Sequence, residues 1–320
     1  MEHDPQGLFV GLATLDIIQR VPHVPGADEK VTASRTDIAA GGPALNAAVV
    51  FSALGGRSSL VTRLGEGALS SFIRDDVASR GVEIIDLADP SFAPAISTIT
   101  VDDSTGQRQV VSTDARGAGE PATSASDVRQ RIVRHLERVA PVDIVHCDGH
   151  HPDLTLTVAE WGASHGVPRV VDAGRWKTVM ARLVPLATDV LCSATFAVPD
   201  DHERRERLDL MSWILSQGPE LAAVTHGPDP IEWRTRTSRG MVAAEQIRAI
   251  DTLGAGDFFH GAYSFARVMR DHEEHTLRTV DCLRFASHVA ALKCISPGTR
   301  AWLAEIGETT LVEFLRNGEA

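Results

Sequence analysis

Ala249-Ile250-Asp251-Thr252-Leu253-Gly254-Ala255-Gly256-Asp257-Phe258-Phe259-His260-Gly261-Ala262 passes from a strand end through small residues into an apolar helical stretch, marked by Phe258, Ala262, Phe265, Ala266 and Met269. A helix that begins on Gly254, Ala255 and Gly256 leaves its first N–H groups without carbonyl partners and gathers donors for an anion. Small residues suit that place because a bulky Cβ would hold an anion away from the main chain. Asp257, in the first turn, is then placed to take a proton from a hydroxyl aligned on a group held by those amides. The bland alternative is an Asp that only caps a helix after a flexible turn. The glycines flanking Ala255 and the upstream Asp251 argue against it.

Outward from this stretch, short apolar runs alternate with segments of helical period, the pattern of a mostly parallel sheet with crossover helices. The runs are Leu8 to Leu12, Ile144 to Cys147, Val170 to Val171, Val190 to Cys192 and Leu221 to Val224. Each is followed by chemically useful residues: Asp16, then Asp148-Gly149-His150, Asp172-Ala173-Gly174-Arg175, Ser193, and Thr225-His226-Gly227. In open α/β sheets the ligand crevice lies beyond the carboxyl ends of strands, where these residues fall. Helices are expected over Leu154 to His165 and Leu208 to Ser216. Residues 16–40 and 95–112 instead alternate like strands around the turn signals Pro25-Gly26 and Asp103-Ser104-Thr105-Gly106, and read as a small β lid. The expectation is one α/β domain over 1–320, a three-layer sandwich carrying that lid, with Asp114 to Asp127 as its clearest loop.

A second motif is Ala40-Gly41-Gly42-Pro43-Ala44-Leu45-Asn46, leading into a helix over Ala47 to Leu54 that Gly55-Gly56 ends. Proline at a first helical position and glycine past the end fit the usual asymmetry of helix termini. Asn46 can offer a donor and an acceptor to a polyol, and Asp16 can accept two hydroxyls. His150-His151 reads equally well as a substrate contact or as polar residues at a strand end. His272-Glu273-Glu274-His275 lies among charges and reads as a solvated helix end. No GxxxxGK[ST], complete GxGxxG, GxSxG or HExxH pattern occurs.

Composition narrows the partners. The 320 residues are 43% hydrophobic and 23% charged with a formal net charge of -12, so the surface repels polyanions and nucleic acid is a poor partner. No basic and apolar leader opens the chain and no run is long enough to span a bilayer, so a cytoplasmic place with no membrane partner is expected. Cys147, Cys192, Cys282 and Cys294 form no CxxC pair and sit in apolar runs, as buried reduced thiols do.

Together these pieces resemble the ribokinase-like (PfkB) carbohydrate kinases. Asp251 to Asp257 is similar to that family's C-terminal signature, and Gly41-Gly42 with Asn46 to its N-terminal one. The Gly65 loop, Arg80-Gly81-Val82, the lid strands and Thr225-His226-Gly227 stand in the family's order. The resemblance implies ATP as donor, Mg2+ on its phosphates, and a sugar held by Asp16, Gly42, Asn46, Arg108, Lys30 and His150. It implies a nucleotide site of Ser193, Thr225, Gly227 and Thr252, a monovalent cation such as K+ near Asp251, and a homodimer through the lid. Asp257 would be the catalytic base beside the anion hole of Gly254, Ala255 and Gly256.

The run Arg284 to Cys294 with Pro297-Gly298 is similar to the ketohexokinase and sulfofructose kinase branches, as are Lys30 and Pro43 to the latter. That branch carries an arginine where His150 stands and an asparagine near Ser112. Glu66 replaces a usual Asp, and Ser193-Ala194-Thr195-Phe196 replaces a usual Asn-x-x-Glu. A ketohexose or related sugar is the leading acceptor. An acidic sugar such as sulfofructose, a nucleoside, or a catalytically silent sugar-binding role stays open, although aromatics are only 5% with Tyr263 the single tyrosine, which gives a base little to stack on.

Overall fold

The computed structural model describes residues 4–114, 125–137, 141–199, 209–272, 277–296, 298, 300–304, 306 and 314. Most of the expected loop 114–127, Leu208, Pro297 and the Glu273-Glu274-His275 part of the charged cluster lie outside them. Nine strands form the main sheet: β1 (Gln6–Val10), β4 (Arg57–Thr62), β5 (Val82–Asp86), β8 (Ile144–Cys147), β9 (Arg169–Ala173), β10 (Asp189–Ser193), β11 (Leu221–His226), β12 (Asp229–Thr235) and β13 (Arg239–Val242). Their order is β13-β12-β11-β10-β9-β8-β1-β4-β5. The run from β11 to β5 is parallel, and β12 and β13 extend it in antiparallel fashion.

Successive residues of the central strands feed opposite cores, as a pleat requires. Leu8 and Val10 pack with α3 (Ala125–Leu136), α4 (Pro152–Ser164), α5 (Met180–Leu183) and α6 (Leu210–Ser216). Phe9 instead packs with α1 (Pro43–Ala53), α2 (Ala68–Ala78), α7 (Ala255–His272) and α8 (Thr279–Ile295). Helices therefore cover both faces, and the near-continuous apolar runs follow from strands buried on two sides. All four cysteines are buried and free.

The lid is a second sheet in the order β3-β2-β6-β7, from β2 (Thr14–Val21), β3 (Arg35–Gly41), β6 (Ala95–Asp102) and β7 (Arg108–Ser112). Two antiparallel pairs, β2 with β3 and β6 with β7, join through a parallel pairing of β2 with β6. Asp16 thus lies within a lid strand rather than in a turn after β1.

No strand leads into α7. The chain after β13 runs irregularly to Gly254, because the Ile250 and Asp251 N–H groups donate at 2.8 and 3.1 Å to the Cys294 carbonyl near the end of α8 instead of to a neighbouring strand. The start of α1 is fixed from elsewhere in the sheet. The buried Asp148 carboxylate accepts from Ala44 N at 3.1 Å and from Leu12 N at 2.9 Å, capping a helix whose own N-cap, Gly42, has no side chain to do so.

Helices α1 and α7 approach closely at Gly261. A Cβ there would stand 2.5 Å from the Ala47 carbonyl oxygen and 2.8 Å from Val50 Cβ. Neither can yield cheaply, since one is backbone and the other lies in a helix with buried Ala47, Ala48, Val49, Val50 and Phe51. Gly261→Ala is expected to cost roughly 1–3 kcal/mol, the usual penalty for overfilling a packed contact. Urea or thermal unfolding would read it as a lowered midpoint, and an unchanged midpoint would show that the two helices can part freely.

Candidate active site

A cleft of about 800 Å3 opens between the two sheets. Its floor is the carboxyl end of the parallel strands, with His150 beyond β8, Asp172 on β9, Ser193 on β10 and Thr225 on β11. Gly42, Pro43 and Asn46 bring in the start of α1, and Gly254, Gly256 and Asp257 the start of α7. The lid adds Thr14, Asp16, Ser97, Ile99 and Val110 to Ser112. Nine of the residues expected to hold substrate, phosphate or nucleotide thus share one space: Asp16, Gly42, Asn46, His150, Ser193, Thr225, Gly254, Gly256 and Asp257.

The tip of α7 is open. Gly254 has φ 75, which turns the chain into the helix in a conformation that favours glycine, and a Cβ added at Gly256 would meet nothing within 4 Å. Phe258 N donates to Gly254 O at 3.0 Å, and Ala255 N donates back to Thr252 O at 3.3 Å. The first-turn amides of Gly256 and Asp257 have no carbonyl one turn earlier to receive them, as at any helix start. The donor set for an anion therefore centres on Gly256 and Asp257, while the Ala255 N–H is taken by Thr252 O and Ala255 is not among the residues lining the cleft.

Asp257 Oδ2 accepts from Asn46 Nδ2 at 2.8 Å. Arg300 orients that amide: its Nη1 donates to Asn46 Oδ1 at 3.4 Å, while Nη2 donates to Ala40 O at 2.7 Å and lies 3.3 Å from Asp76 Oδ2. With its oxygen held by a cation, Asn46 presents its NH2 to Asp257. Burial pushes the Asp257 carboxyl up to about 7, helped by the charges of Asp172, Asp16 and Asp148, and the Asn46 hydrogen bond pulls the other way. A carboxyl near 7 holds a proton as firmly as a base working at neutral pH requires.

At the lid end, Asp16 accepts from Thr14 Oγ1 at 2.6 Å, and burial raises its carboxyl above the ordinary value against the hydrogen bonds of Thr14 and Ser97 and the charge of Arg300. His150 Nε2 lies 2.9 Å from Asp114 Oδ1 and its Nδ1 3.1 Å from Asp148 Oδ1. Burial alone would pull His150 down, but those carboxylates hold it up at about 9, so it is cationic at neutral pH. Arg175 pairs with the same Asp114, and Lys177 donates to Asp148 O at 2.9 Å.

Other expected residues fall outside the cleft lining. Lys30 sits exposed in the loop between β2 and β3. Arg108 reaches from β7 to the α7 approach, donating to Thr252 Oγ1 at 2.8 Å. Gly227 turns β11 into β12 with φ 64. Ser193 Oγ donates to Gly174 O at 2.5 Å and lies 2.7 Å from Thr195 Oγ1, so Thr195 joins that wall. His272 contacts Asp143 at 3.2 Å, at the end of α7.

The sequence profile of the pfkB family carbohydrate kinases matches residues 6–305. The chain belongs to that family. This kinase is 24% identical to the ribokinase of Bacillus subtilis (strain 168) over 294 residues, covering 91% of this chain and 93% of the other. It is 25% identical to the ketohexokinase of Mus musculus over 308 residues, covering 91% and 96%. Its fold matches that of the Arabidopsis thaliana ribokinase solved with ribose and ATP, with a TM-score of 0.70 at 19% identity and coverage of 98% and 99%. The ribokinase of Giardia lamblia matches with a TM-score of 0.79 at 16% identity, covering 98% and 99%.

Members of the family transfer phosphoryl groups to sugar hydroxyls, and the cleft of this kinase carries residues with no role assigned from their motifs. Asp172 is the largest charge acting on Asp257. Lys293 lines the cleft although it is 0% exposed, and a lone cation in Ala290-Ala291-Leu292-Lys293-Cys294-Ile295 was a readable sign of a buried partner. Arg300 had no such sign.

A separate monovalent ion does not fit beside Asp251. Its Oδ1 takes Leu253 N at 2.9 Å, its Oδ2 takes Arg20 Nη2 at 2.8 Å and Gly298 N at 3.0 Å, and its carbonyl oxygen takes Lys293 Nζ at 3.2 Å. Among the described residues no helix is long and apolar enough to cross a membrane.

With Asp257 acting as a base, its raised carboxyl predicts that kcat/KM climbs with pH through about 7, because a base works only when deprotonated. Asp172→Asn removes a like charge and should move that acidic limb to lower pH. A pH–rate profile from 5 to 9 tests both, and a limb that moves upward in Asp172→Asn would contradict the electrostatic assignment.

Proposed function

We propose that this kinase transfers the terminal phosphoryl group of MgATP to a hydroxyl of a neutral sugar, a ketohexose or close relative, with Asp257 as general base. One observation carries the reading: a carboxylate held at 2.8 Å by Asn46 faces a cleft at the open tip of α7. The amides there suit the phosphate that is transferred, Asp257 suits the incoming hydroxyl, and positioning with charge neutralisation is most of what phosphoryl transfer needs. When bound, magnesium neutralises phosphate charge. Among the described residues no three metal-ligating side chains form a cage, and magnesium on a nucleotide needs none because it keeps several waters. Asp172, which lines the cleft on β9 beside the β10 strand that carries Ser193, is the carboxylate that would meet it through water.

The neutral acceptor follows from where the cations are committed. His150 and Arg175 both turn to Asp114, Lys177 to the Asp148 carbonyl and Arg300 to Asn46, Ala40 and Asp76, while Lys30 and Arg108 stand away from the lining. Asp16 keeps acceptor capacity beyond its bond from Thr14, Asn46 keeps a second N–H beyond Asp257, and Ser97 and Ser112, bonded to each other at 3.0 Å, keep lone pairs, so these groups can pair with hydroxyls. Tyr263 is fully buried within α7 and offers no surface for a base. Exposed Ile38, Val110 and Val111 on the edge strands support a homodimer through the lid.

ADP release should be fastest with a neutral sugar from a panel of ketohexoses, aldoses, sugar acids, sugar phosphates and nucleosides. A sugar acid or nucleoside at the head of the panel would overturn the acceptor class, and sugar binding without any ADP release would point to a silent binder. Asp257→Asn should keep sugar binding and lower turnover by about 10²-fold to 10⁴-fold, the usual range for a lost general base. Near-wild-type turnover in that variant would remove Asp257 from the role.

A further inference from the structure

Lys293 is a charged side chain with no exposure to solvent, carried on the last turns of α8. Its Nζ donates to the Asp251 carbonyl at 3.2 Å, lies 3.5 Å from Asp251 Oδ1 and sits 5.9 Å from the centre of the Phe258 ring. Asp251 is itself 1% exposed. A buried ammonium is costly unless both its charge and its donors are met, so this pair has a reason to be there beyond filling space. What it holds is the approach to the helix tip. Asp251 Oδ1 fixes Leu253 N, Thr252 O fixes Ala255 N, and Gly254 then opens α7.

We propose that the Lys293 ammonium, on the opposite oxygen of Asp251 from the Arg20 guanidinium at 2.8 Å, is the built-in cation at the Asp251 carbonyl, a positioning residue that does from within the chain what a bound monovalent ion would otherwise do for the anion hole. A bare cation placed against the Asp251 carbonyl would meet an ammonium already bonded there, and like charges at that separation repel. The inference rests on the kinase reading for its catalytic consequence, but its structural half stands on the Asp251–Lys293 pair alone.

Two wild-type measurements and one variant test it. In KCl, NaCl, NH4Cl or tetramethylammonium chloride at one ionic strength, the wild-type melting temperature and rate of ADP release should be the same. Lys293→Met, which keeps length but not charge, should melt several degrees lower, as expected when a buried carboxylate loses a partner. Its turnover should fall by about 10-fold to 100-fold, the scale on which a small misplacement of reacting groups acts. Both should recover in a saturable way with KCl or NH4Cl and not with tetramethylammonium chloride, which is too large for the vacated space.

A saturable gain of wild-type stability or turnover with K+ would overturn the proposal by mass action. So would a Lys293→Met protein that is merely less stable and indifferent to every cation, since that is what plain structural packing gives. If Lys293→Met does not fold, the wild-type arm decides alone. Melting needs no substrate, so failure of this inference is distinguishable from failure of the kinase assignment.

Discussion

The hydrogen bond from Asn46 to Asp257 ties the first turns of α1 and α7 together, and the cleft takes its shape from that tie. Each helix start is placed by something remote. Asp148, from the end of β8, caps α1 through Ala44 N, and Gly261 lets α7 lie close against Ala47. Arg300 holds the far side of the Asn46 amide so that its NH2 has one direction to face. The Asp257 carboxylate and the open tip of α7 thus stand at fixed separation without either resting on a loose loop, the kind of preorganisation that the proposed phosphoryl transfer rewards.

The electrostatics run along the same lines. Asp16, Asp172 and Asp257 share the cleft, and their mutual repulsion adds to burial in keeping Asp257 reluctant to ionise. Cations offset this at the edges rather than at the centre: Arg300 beside Asn46, His150 and Arg175 on Asp114, Lys293 and Arg20 on Asp251. A proton acceptor surrounded by committed cations keeps its affinity for a proton, whereas a free guanidinium beside it would remove that affinity.

Much of this was legible in the sequence, and the reason is local. The strands from β8 to β11 announce themselves as apolar runs because both faces are buried, and the polar residues just after them mark the crevice. Pro43 and Gly55 bracket α1, and the small residues around Ala255 mark the start of α7. The parts that sequence did not reveal are contacts between distant segments. Arg300 reaches Asn46 across 254 positions and Arg20 reaches Asp251 across 231, and no period or turn signal encodes either. The same limit explains the strand expected before α7, since Ile250 looks like a strand residue until Cys294 claims its N–H. Lys30 and Arg108 carried family expectation without local support, and they stand outside the cleft lining.

The most direct measurement is a crystal structure with a non-hydrolysable ATP analogue and the best sugar of the panel. The terminal phosphate should lie on the Gly256 and Asp257 amides, with one sugar hydroxyl within about 3 Å of the Asp257 carboxylate, the reach of a general base. A phosphate bound elsewhere, or a sugar whose hydroxyls all turn from Asp257, would contradict the account.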